Sequence, residues 1–195
     1  MLPVVAKPRL PTIASRFRAK REPLSQQDYE LIKANLKRYD TLLLAKVLRC
    51  TGLREAEVMR LTPELIVSEG PYTYILTIRG KKKLKEWERV PLHPEVATEL
   101  VAYARRGGIK PGSPVFTCSK STFQKHFRGA ARLALGRDAH PHQLRKLYAT
   151  DLINQGLPIA AASKLLGHED VNTTLEWYYD LTQEQRHAIN AKTRP

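Results

Sequence analysis

The feature that most constrains the fold is a β-rich stretch that interrupts a chain otherwise patterned for helices. Residues 72–78 and 88–92 are rich in aromatic and β-branched side chains, and they flank a basic turn at residues 80–85. Two such runs joined by a short turn are typical of an antiparallel hairpin. Helical patterns precede this stretch and resume from Pro94. We therefore predict an α+β fold that is mostly helical and contains a small three-stranded antiparallel sheet.

Capping residues locate the helices of the amino-terminal half. Ser25 is a preferred N-cap residue, and Asp28, three positions later, suits the positive end of a helix dipole. The apolar run 42–48 predicts a buried helix that ends near Gly52. A short helix then begins around Arg54, which we expect to lie at a helix start in an apolar setting.

Glycine and proline residues divide the carboxyl-terminal half into helical segments. The predicted breaks are Gly107, Gly108, Pro111, Gly112, Gly136, Gly156 and Gly167. Pro141 suits the first turn of a helix that carries His142 and Arg145 on neighbouring turns. Pro158 is expected to open the next helix.

The charge of the chain indicates a polyanionic partner. Lys and Arg number 33 against 19 Asp and Glu, which leaves a formal charge of +14 over 195 residues. A surplus of this size favours nucleic acid as the partner. No apolar run approaches the roughly 20 residues that would span a bilayer, so we expect a cytoplasmic, nucleoid-associated protein without membrane contact.

Two residue types argue against a metal site or a disulfide framework. Cys50 and Cys118 are too few, and in contexts too apolar, so we expect both as thiols in or near the core. His140 and His142 lie close in sequence, but no Cys or carboxylate nearby completes a set of metal ligands. We therefore predict neither metal nor other cofactor.

The segment 142–179 concentrates side chains that suit chemistry on a phosphodiester. Arg145 offers a planar fork of donors for phosphate oxygens, and His142 and His168 can donate to the same oxygens or move a proton. Tyr178 and Tyr179 follow, and a phenol becomes a nucleophile when clustered positive charge or a neighbouring base favours the phenolate.

Four motifs in a fixed order resemble those of the tyrosine recombinase, or phage integrase, family. They are residues 51–57 (TGLREAE), residues 79–81 with 89–92 (RGK and RVPL), residues 141–145 with 148–150 (PHQLR and YAT), and residues 165–174 (LLGHEDVNTT). Each motif alone is weak evidence. Their order and separations together make chance agreement improbable, and the resemblance runs from Pro23 to about Leu181.

The resemblance implies a reaction in which a tyrosine attacks the scissile phosphate, leaving a 3′-phosphotyrosyl link and a free 5′-hydroxyl. Rejoining reverses the step, so neither ATP nor metal is expected. By motif match, Arg54 and Arg145 would hold the non-bridging oxygens. His142 and His168 would add hydrogen bonds or accept the phenol proton, and a hairpin lysine would protonate the leaving oxygen.

Further roles follow from the same match. Glu57 and Lys146 would support the residues that touch the phosphate. In the hairpin, counting from Gly80 selects Lys81 as the general acid, which we prefer, while counting back from Pro91 selects Lys83. We expect three hairpin lysines, Lys82, Lys83 and Lys85, to contact the DNA backbone.

The nucleophile departs from the family's commonest spacing. Nine residues after His168 the chain has Trp177, which cannot attack a phosphate. A minority pattern of the family places the nucleophile ten residues after the histidine and four after a threonine, and Tyr178 fits it through Thr174. We therefore assign the role to Tyr178 and keep Tyr179 as the alternative.

The resemblance also implies an organisation and partners. Residues 1–22 are expected to form a basic arm or linker, residues 23–181 the catalytic domain, and residues 182–195 a tail that docks on a neighbouring protomer. Relatives usually carry a separate amino-terminal clamp domain, so the chain is either a fragment or a minimal recombinase. The expected partner is duplex DNA, with a tetramer on paired sites and a monomer without DNA.

Two other activities remain compatible with the sequence. A type IB topoisomerase or a telomere-resolving enzyme would use the same Arg, Lys, His and Tyr chemistry. A non-catalytic DNA-binding regulator derived from a recombinase would bind DNA without a covalent adduct, and Trp177 at the usual nucleophile position is its support.

Overall fold

The computed structural model describes residues 23–79 and 86–167, which form helices around a small sheet. The helices are α1 (Gln26–Asn35), α2 (Tyr39–Thr51), α3 (Glu55–Val58), α4 (Pro94–Arg106), α5 (Lys120–Leu135), α6 (His142–Asn154) and α7 (Ile159–Leu166). The strands are β1 (Ile66–Glu69), β2 (Tyr72–Arg79) and β3 (Glu86–Pro91), and a 3₁₀ turn spans Pro63–Leu65. The predicted mostly helical α+β class is confirmed.

The sheet is antiparallel, with β2 between β1 and β3. Strand β1 pairs with the first half of β2, from Tyr72 to Ile75, whereas β3 continues along the second half, where Ile78 lies opposite Trp87. The predicted hairpin is therefore present in the described strands. The sequence pattern did not locate β1, a four-residue strand.

Local sequence explains where the first helices begin and end. The Ser25 hydroxyl accepts a hydrogen bond from the Asp28 amide, and the Asp28 carboxylate accepts one from the Ser25 amide, which forms a capping box. Helix α2 ends at Gly52, which has the left-handed conformation (φ 62°) that a glycine adopts without steric cost. Both ends agree with the sequence prediction.

One hydrophobic core joins the helices to the inner face of the sheet. Phe123 and Phe127 of α5 are fully buried and pack against each other, and Leu44 of α2 and Leu144 of α6 are also fully buried. Ile75 of β2 contributes from the sheet. This shared core holds α2, α5 and α6 in fixed positions, and two of these helices carry residues of the candidate site.

Other expectations meet the structure as follows. Cys50 and Cys118 are thiols that pack against the edge of the core, as predicted. Pro141 and Pro158 precede α6 and α7 as N-cap residues, so Pro141 lies one position earlier than the first helical turn predicted for it. Among residues 23–79 and 86–167, no helix has the length and apolar character needed to cross a bilayer.

Candidate active site

The starts of α3 and α6 bring Arg54, His142 and Arg145 together beside the end of α7. Arg54 is the N-cap residue of α3, while His142 and Arg145 lie on the first turns of α6. Both arginines bond to the end of α7, and both arginines act on the ionisation of His142. The first and second motifs of the sequence therefore meet in space.

Arg145 is buried and is held by two backbone carbonyls. Its side chain is only 2% exposed, its Nη1 donates to the Gly52 carbonyl at 2.5 Å, and its Nη2 donates to the Leu166 carbonyl at 2.5 Å. Each carbonyl belongs to the end of a helix, where C=O groups lack intrahelical partners. The guanidinium thus ties the ends of α2 and α7 together, and its orientation is fixed before any ligand arrives.

Gly52 contributes a carbonyl and a close approach to Tyr148. A Cβ atom added at Gly52 would lie 2.8 Å from Tyr148 Cε1 and 3.0 Å from Leu166 Cδ2, and closer still to Tyr148 Cδ1. Real Cβ atoms essentially never approach so closely. The positive φ and the crowding both require glycine, so the motif's Thr51-Gly52 step has a structural role that supports Arg145.

Arg54 is oriented by Glu57 and by the turn after α7. Glu57 Oε2 accepts from the Arg54 backbone N–H at 2.6 Å, and Glu57 Oε1 accepts from Arg54 Nη1 at 3.2 Å. Arg54 Nη2 donates to the Gly167 carbonyl at 3.2 Å. Its neighbours Leu53 and Val58 are buried, as the predicted apolar setting requires, but the Arg54 side chain itself is 48% exposed and accessible to a ligand.

His142 is held in its neutral form. Its side chain is exposed at the surface, but partial desolvation by its neighbours still lowers its pKa below the ordinary value of about 6.5, and the positive charges of Arg145, Lys146 and Arg54 lower the pKa further. At neutral pH the imidazole is therefore uncharged, with one nitrogen able to donate and the other able to accept a proton. This state suits either a hydrogen bond to phosphate or removal of a proton from a phenol.

The end of α7 presents the third motif to the two arginines. Gly167 closes α7 in the left-handed conformation (φ 65°), and the two consecutive carbonyls of Leu166 and Gly167 accept from Arg145 and Arg54. The predicted turn at Gly167 is therefore confirmed. His168 follows directly in the sequence and lies outside the described residues.

Several predicted site residues lie beyond the part of the chain that the structure describes. They are Lys81, Lys82, Lys83, Lys85, His168, Tyr178 and Tyr179. Residues 1–22 and 182–195, assigned to an arm and a tail, lie outside it as well. Of the two predicted supporting residues, Glu57 contacts Arg54, and Lys146 is half-buried near His142.

The sequence analysis gave no role to two residues that shape the site, Tyr148 and Gln143, and gave Gly52 only the role of ending a helix. Gly52 and Tyr148 fit against each other, and Gln143 Oε1 accepts from the His140 backbone N–H at 2.8 Å, just before α6 begins. Gln143 reaches back three positions, as in a capping box, but the N-cap residue of α6 is Pro141, so the motif is one position out of register. Within the described residues, His, Cys, Asp and Glu side chains form no group of three that could hold a metal ion.

Comparison with known families agrees with this geometry. A model described as the phage integrase family matches residues 22–185. The chain belongs to the phage integrase family. Among curated family relatives, a tyrosine recombinase of Pseudothermotoga lettingae is 27% identical over 172 residues, covering 86% of this chain and 59% of the relative. The tyrosine recombinase XerD of Pseudomonas aeruginosa is 29% identical over 189 residues, covering 88% and 61%.

Solved structures show the same fold for this family member. The XerA recombinase superimposes with a TM-score of 0.73 at 20% identity, over 97% of this chain and 68% of that one. The XerH site-specific recombinase bound to difH substrate gives a TM-score of 0.68 at 19% identity, over 86% and 52%. The chain spans only 59% and 61% of the length of the two curated relatives named above.

Proposed function

We propose that this chain is a site-specific recombinase that cuts and rejoins duplex DNA through a 3′-phosphotyrosyl intermediate. The observation that carries the proposal is the convergence of Arg54, His142 and Arg145 at the end of α7, directly before His168. Two fixed cations and a neutral imidazole form a site for a phosphate that gains charge during in-line attack. The names of the curated relatives, tyrosine recombinases, support the same reaction.

Each candidate site residue has a role in the proposed reaction, including Lys81 and Tyr178, which lie outside the described residues. The Tyr178 oxygen forms a bond to phosphorus while the bond from phosphorus to the 5′-oxygen breaks. Arg54 and Arg145 stabilise the added negative charge on the non-bridging oxygens, because their guanidinium groups are oriented before the substrate binds. His142, neutral at pH 7, donates to a phosphate oxygen or takes the phenol proton, and Lys81 gives a proton to the leaving oxygen.

The proposed partner is duplex DNA, and the net charge of +14 suits a polyanion. A relative in fold, XerH, has been crystallised with its difH substrate. We further propose a basic arm at residues 1–22, a catalytic domain at residues 23–181 and a docking tail at residues 182–195. In this proposal the protein works as a tetramer on paired sites, is a monomer without DNA, and acts at the nucleoid in the cytoplasm.

The proposal is tested by incubating the protein, without metal, with supercoiled plasmid that carries DNA from its native locus. A covalent protein-DNA adduct is then detected on a denaturing gel. The matched variants are Tyr178→Phe and Tyr179→Phe, which differ from the wild type by one hydroxyl each. We expect an adduct with the wild type and with Tyr179→Phe, and none with Tyr178→Phe.

The other outcomes separate the alternatives. An adduct lost only with Tyr179→Phe would move the nucleophile by one position and leave the reaction unchanged. Saturated DNA binding without any adduct would overturn the enzymatic proposal in favour of a DNA-binding regulator. Relaxed circles without exchanged strands would indicate a type IB topoisomerase, and hairpin ends a telomere-resolving enzyme.

A further inference from the structure

A cavity of about 420 Å³ lies beside the candidate active site, between α3 and the sheet. Its volume is within the range of small-ligand sites, roughly 300–1,000 Å³. Its walls include charged side chains from α3 and the turn that follows, and apolar side chains from the sheet. The principal residues are Glu57, Arg60, Leu61, Leu76, Ile78 and Trp87.

The cavity opens where β2 has a strand partner on one side only. Strand β1 pairs with β2 from Tyr72 to Ile75, and no described strand continues along that side beyond Ile75. The Thr73 carbonyl accepts from the Leu92 amide on the β3 side of β2. Backbone groups alternate between the two sides of a strand, so those of Leu76 and Ile78 point to the opposite side, where β1 no longer pairs with β2. This edge offers amide donors and carbonyl acceptors next to an apolar wall.

The apolar wall carries an exposed aromatic ring. Trp87 is 61% exposed, and its cross-strand partner Ile78 is 46% exposed. An indole left in water at the mouth of a cavity is a platform on which a planar ring can stack. Stacking of nucleobases on aromatic side chains is a general mode of nucleic-acid binding, because every base has a π-face.

Glu57 connects the cavity to the candidate active site. Glu57 lines the cavity and also accepts from Arg54. Arg60, on the same wall, is exposed, and its Nε donates to the Ala56 carbonyl at 3.0 Å. A nucleotide whose phosphate lies at Arg54 would therefore place its own base, or that of its neighbour, within reach of this cavity.

We propose that the cavity receives one unstacked nucleobase next to the phosphate held at Arg54, with Trp87 as the stacking platform and the β2 edge as the hydrogen-bonding partner. The proposal rests on the DNA binding in the proposed function. Extracting a base costs a few kcal/mol in paired DNA and least where the base is already unpaired. The cavity should therefore favour DNA that is mismatched or opened beside the cleavage point.

The test uses Trp87 as its own reporter. The chain has two tryptophans, so Trp177→Phe leaves Trp87 as the only indole. Fluorescence of this variant is titrated with two duplexes that differ only in a central unpaired base. We expect the duplex with the unpaired base to quench Trp87 emission more strongly and to bind more tightly than the matched duplex.

Substitutions then distinguish base stacking on Trp87 from non-specific DNA binding. Trp87→Leu should weaken binding of the duplex with the unpaired base by roughly 5- to 150-fold, the range of a base-aromatic stack. Trp87→Phe should retain most of the affinity, because it keeps an aromatic face. The matched control is Tyr72→Leu: Tyr72 is 64% exposed, lies on the neighbouring strand β2, and does not line the cavity, so its loss should change affinity less than about twofold.

The results that overturn the inference differ from those that overturn the proposed function. Unchanged Trp87 emission, or equal losses for Trp87→Leu and Tyr72→Leu, would remove the nucleobase site even if the wild type forms a covalent adduct. Quenching at Trp87 without any adduct would leave the site in place and remove the strand-cleavage chemistry. Absence of DNA binding by the wild type would overturn both.

Discussion

Adding a single methyl group at Gly52 should strongly destabilise the fold around the candidate site. In the substitution Gly52→Ala, the backbone must keep a left-handed conformation, which costs an L-residue about 1–2 kcal/mol. The new Cβ would also press into the Tyr148 ring and against Leu166 Cδ2 at 3.0 Å. Overpacking of this kind costs about 1–3 kcal/mol, so we expect a total destabilisation of about 2–5 kcal/mol.

Gly136→Ala is the matched control. Gly136 ends α5 in the same left-handed conformation, with φ 66° against 62° for Gly52. A Cβ at Gly136 would meet no heavy atom within 4 Å, so only the backbone cost of about 1–2 kcal/mol applies. The difference between the two variants therefore isolates the contact with Tyr148.

The assay is urea unfolding at pH 7, which gives the free energy of unfolding of each variant. Gly52→Ala should be less stable than Gly136→Ala by about 1–3 kcal/mol. In a Tyr148→Ala background that excess should largely vanish, because the ring that the methyl group meets is gone. Equal destabilisation by the two glycine substitutions, or an undiminished excess in the Tyr148→Ala background, would refute the packing argument.

Three further predictions concern Arg54, Arg145, His142 and Glu57 of the candidate site. Arg145→Ala and Arg54→Ala should both abolish the adduct. In urea unfolding, Arg145→Ala should lower the free energy of unfolding by about 2–6 kcal/mol, because two buried carbonyls lose their donor. Arg54→Ala should lower it by less than about 1 kcal/mol, because the Arg54 side chain is exposed. The pKa of His142 is lower in the folded protein than in the unfolded chain, so protonation favours unfolding and stability should decline as the pH falls below about 6.5. Urea unfolding at about pH 7.5 and pH 5.5 should show a smaller decline in the free energy of unfolding for His142→Gln than for the wild type. An equal decline would contradict the assignment. Glu57→Ala removes the acceptor of the Arg54 amide, so it should lower the free energy of unfolding by about 1 kcal/mol and slow adduct formation. Glu57→Gln should preserve the stability but still slow adduct formation, because Arg54 loses a charged partner.

The parts of the fold that depend on local sequence were predictable. The capping box at Ser25, the left-handed ends at Gly52 and Gly167, and the pairing of 72–78 with 88–92 each involve residues close in the chain. Strand β1 escaped detection because its four residues are too few to show an alternating pattern. Its place in the sheet depends on β2, which offers it an edge.

The bonding within the site was not predictable from motifs. The motif match named Arg145 as a phosphate ligand, but its bonds to the Gly52 and Leu166 carbonyls depend on how α2, α6 and α7 pack together. The contact between Gly52 and Tyr148 has the same origin. Sequence spacing indicates which residues share a helix face, whereas contacts between helices are set by the packing of the whole core.

Under the proposed function, the arginine bonds to the helix ends mean that the phosphate site is completed late in synthesis. Arg145 and Gly52 are separated by 93 positions in the chain, and Arg54 and Gly167 by 113. Chains emerge from the ribosome amino terminus first, so the first arginine motif exists long before its carbonyl partner. A nascent chain that ends before Gly167 should therefore be positively charged and able to associate with DNA. It should not bind a scissile phosphate, because Arg54 still lacks its carbonyl partner. In the proposed reaction, strand cleavage would have to wait until α7 and the Tyr178 that follows it have been made.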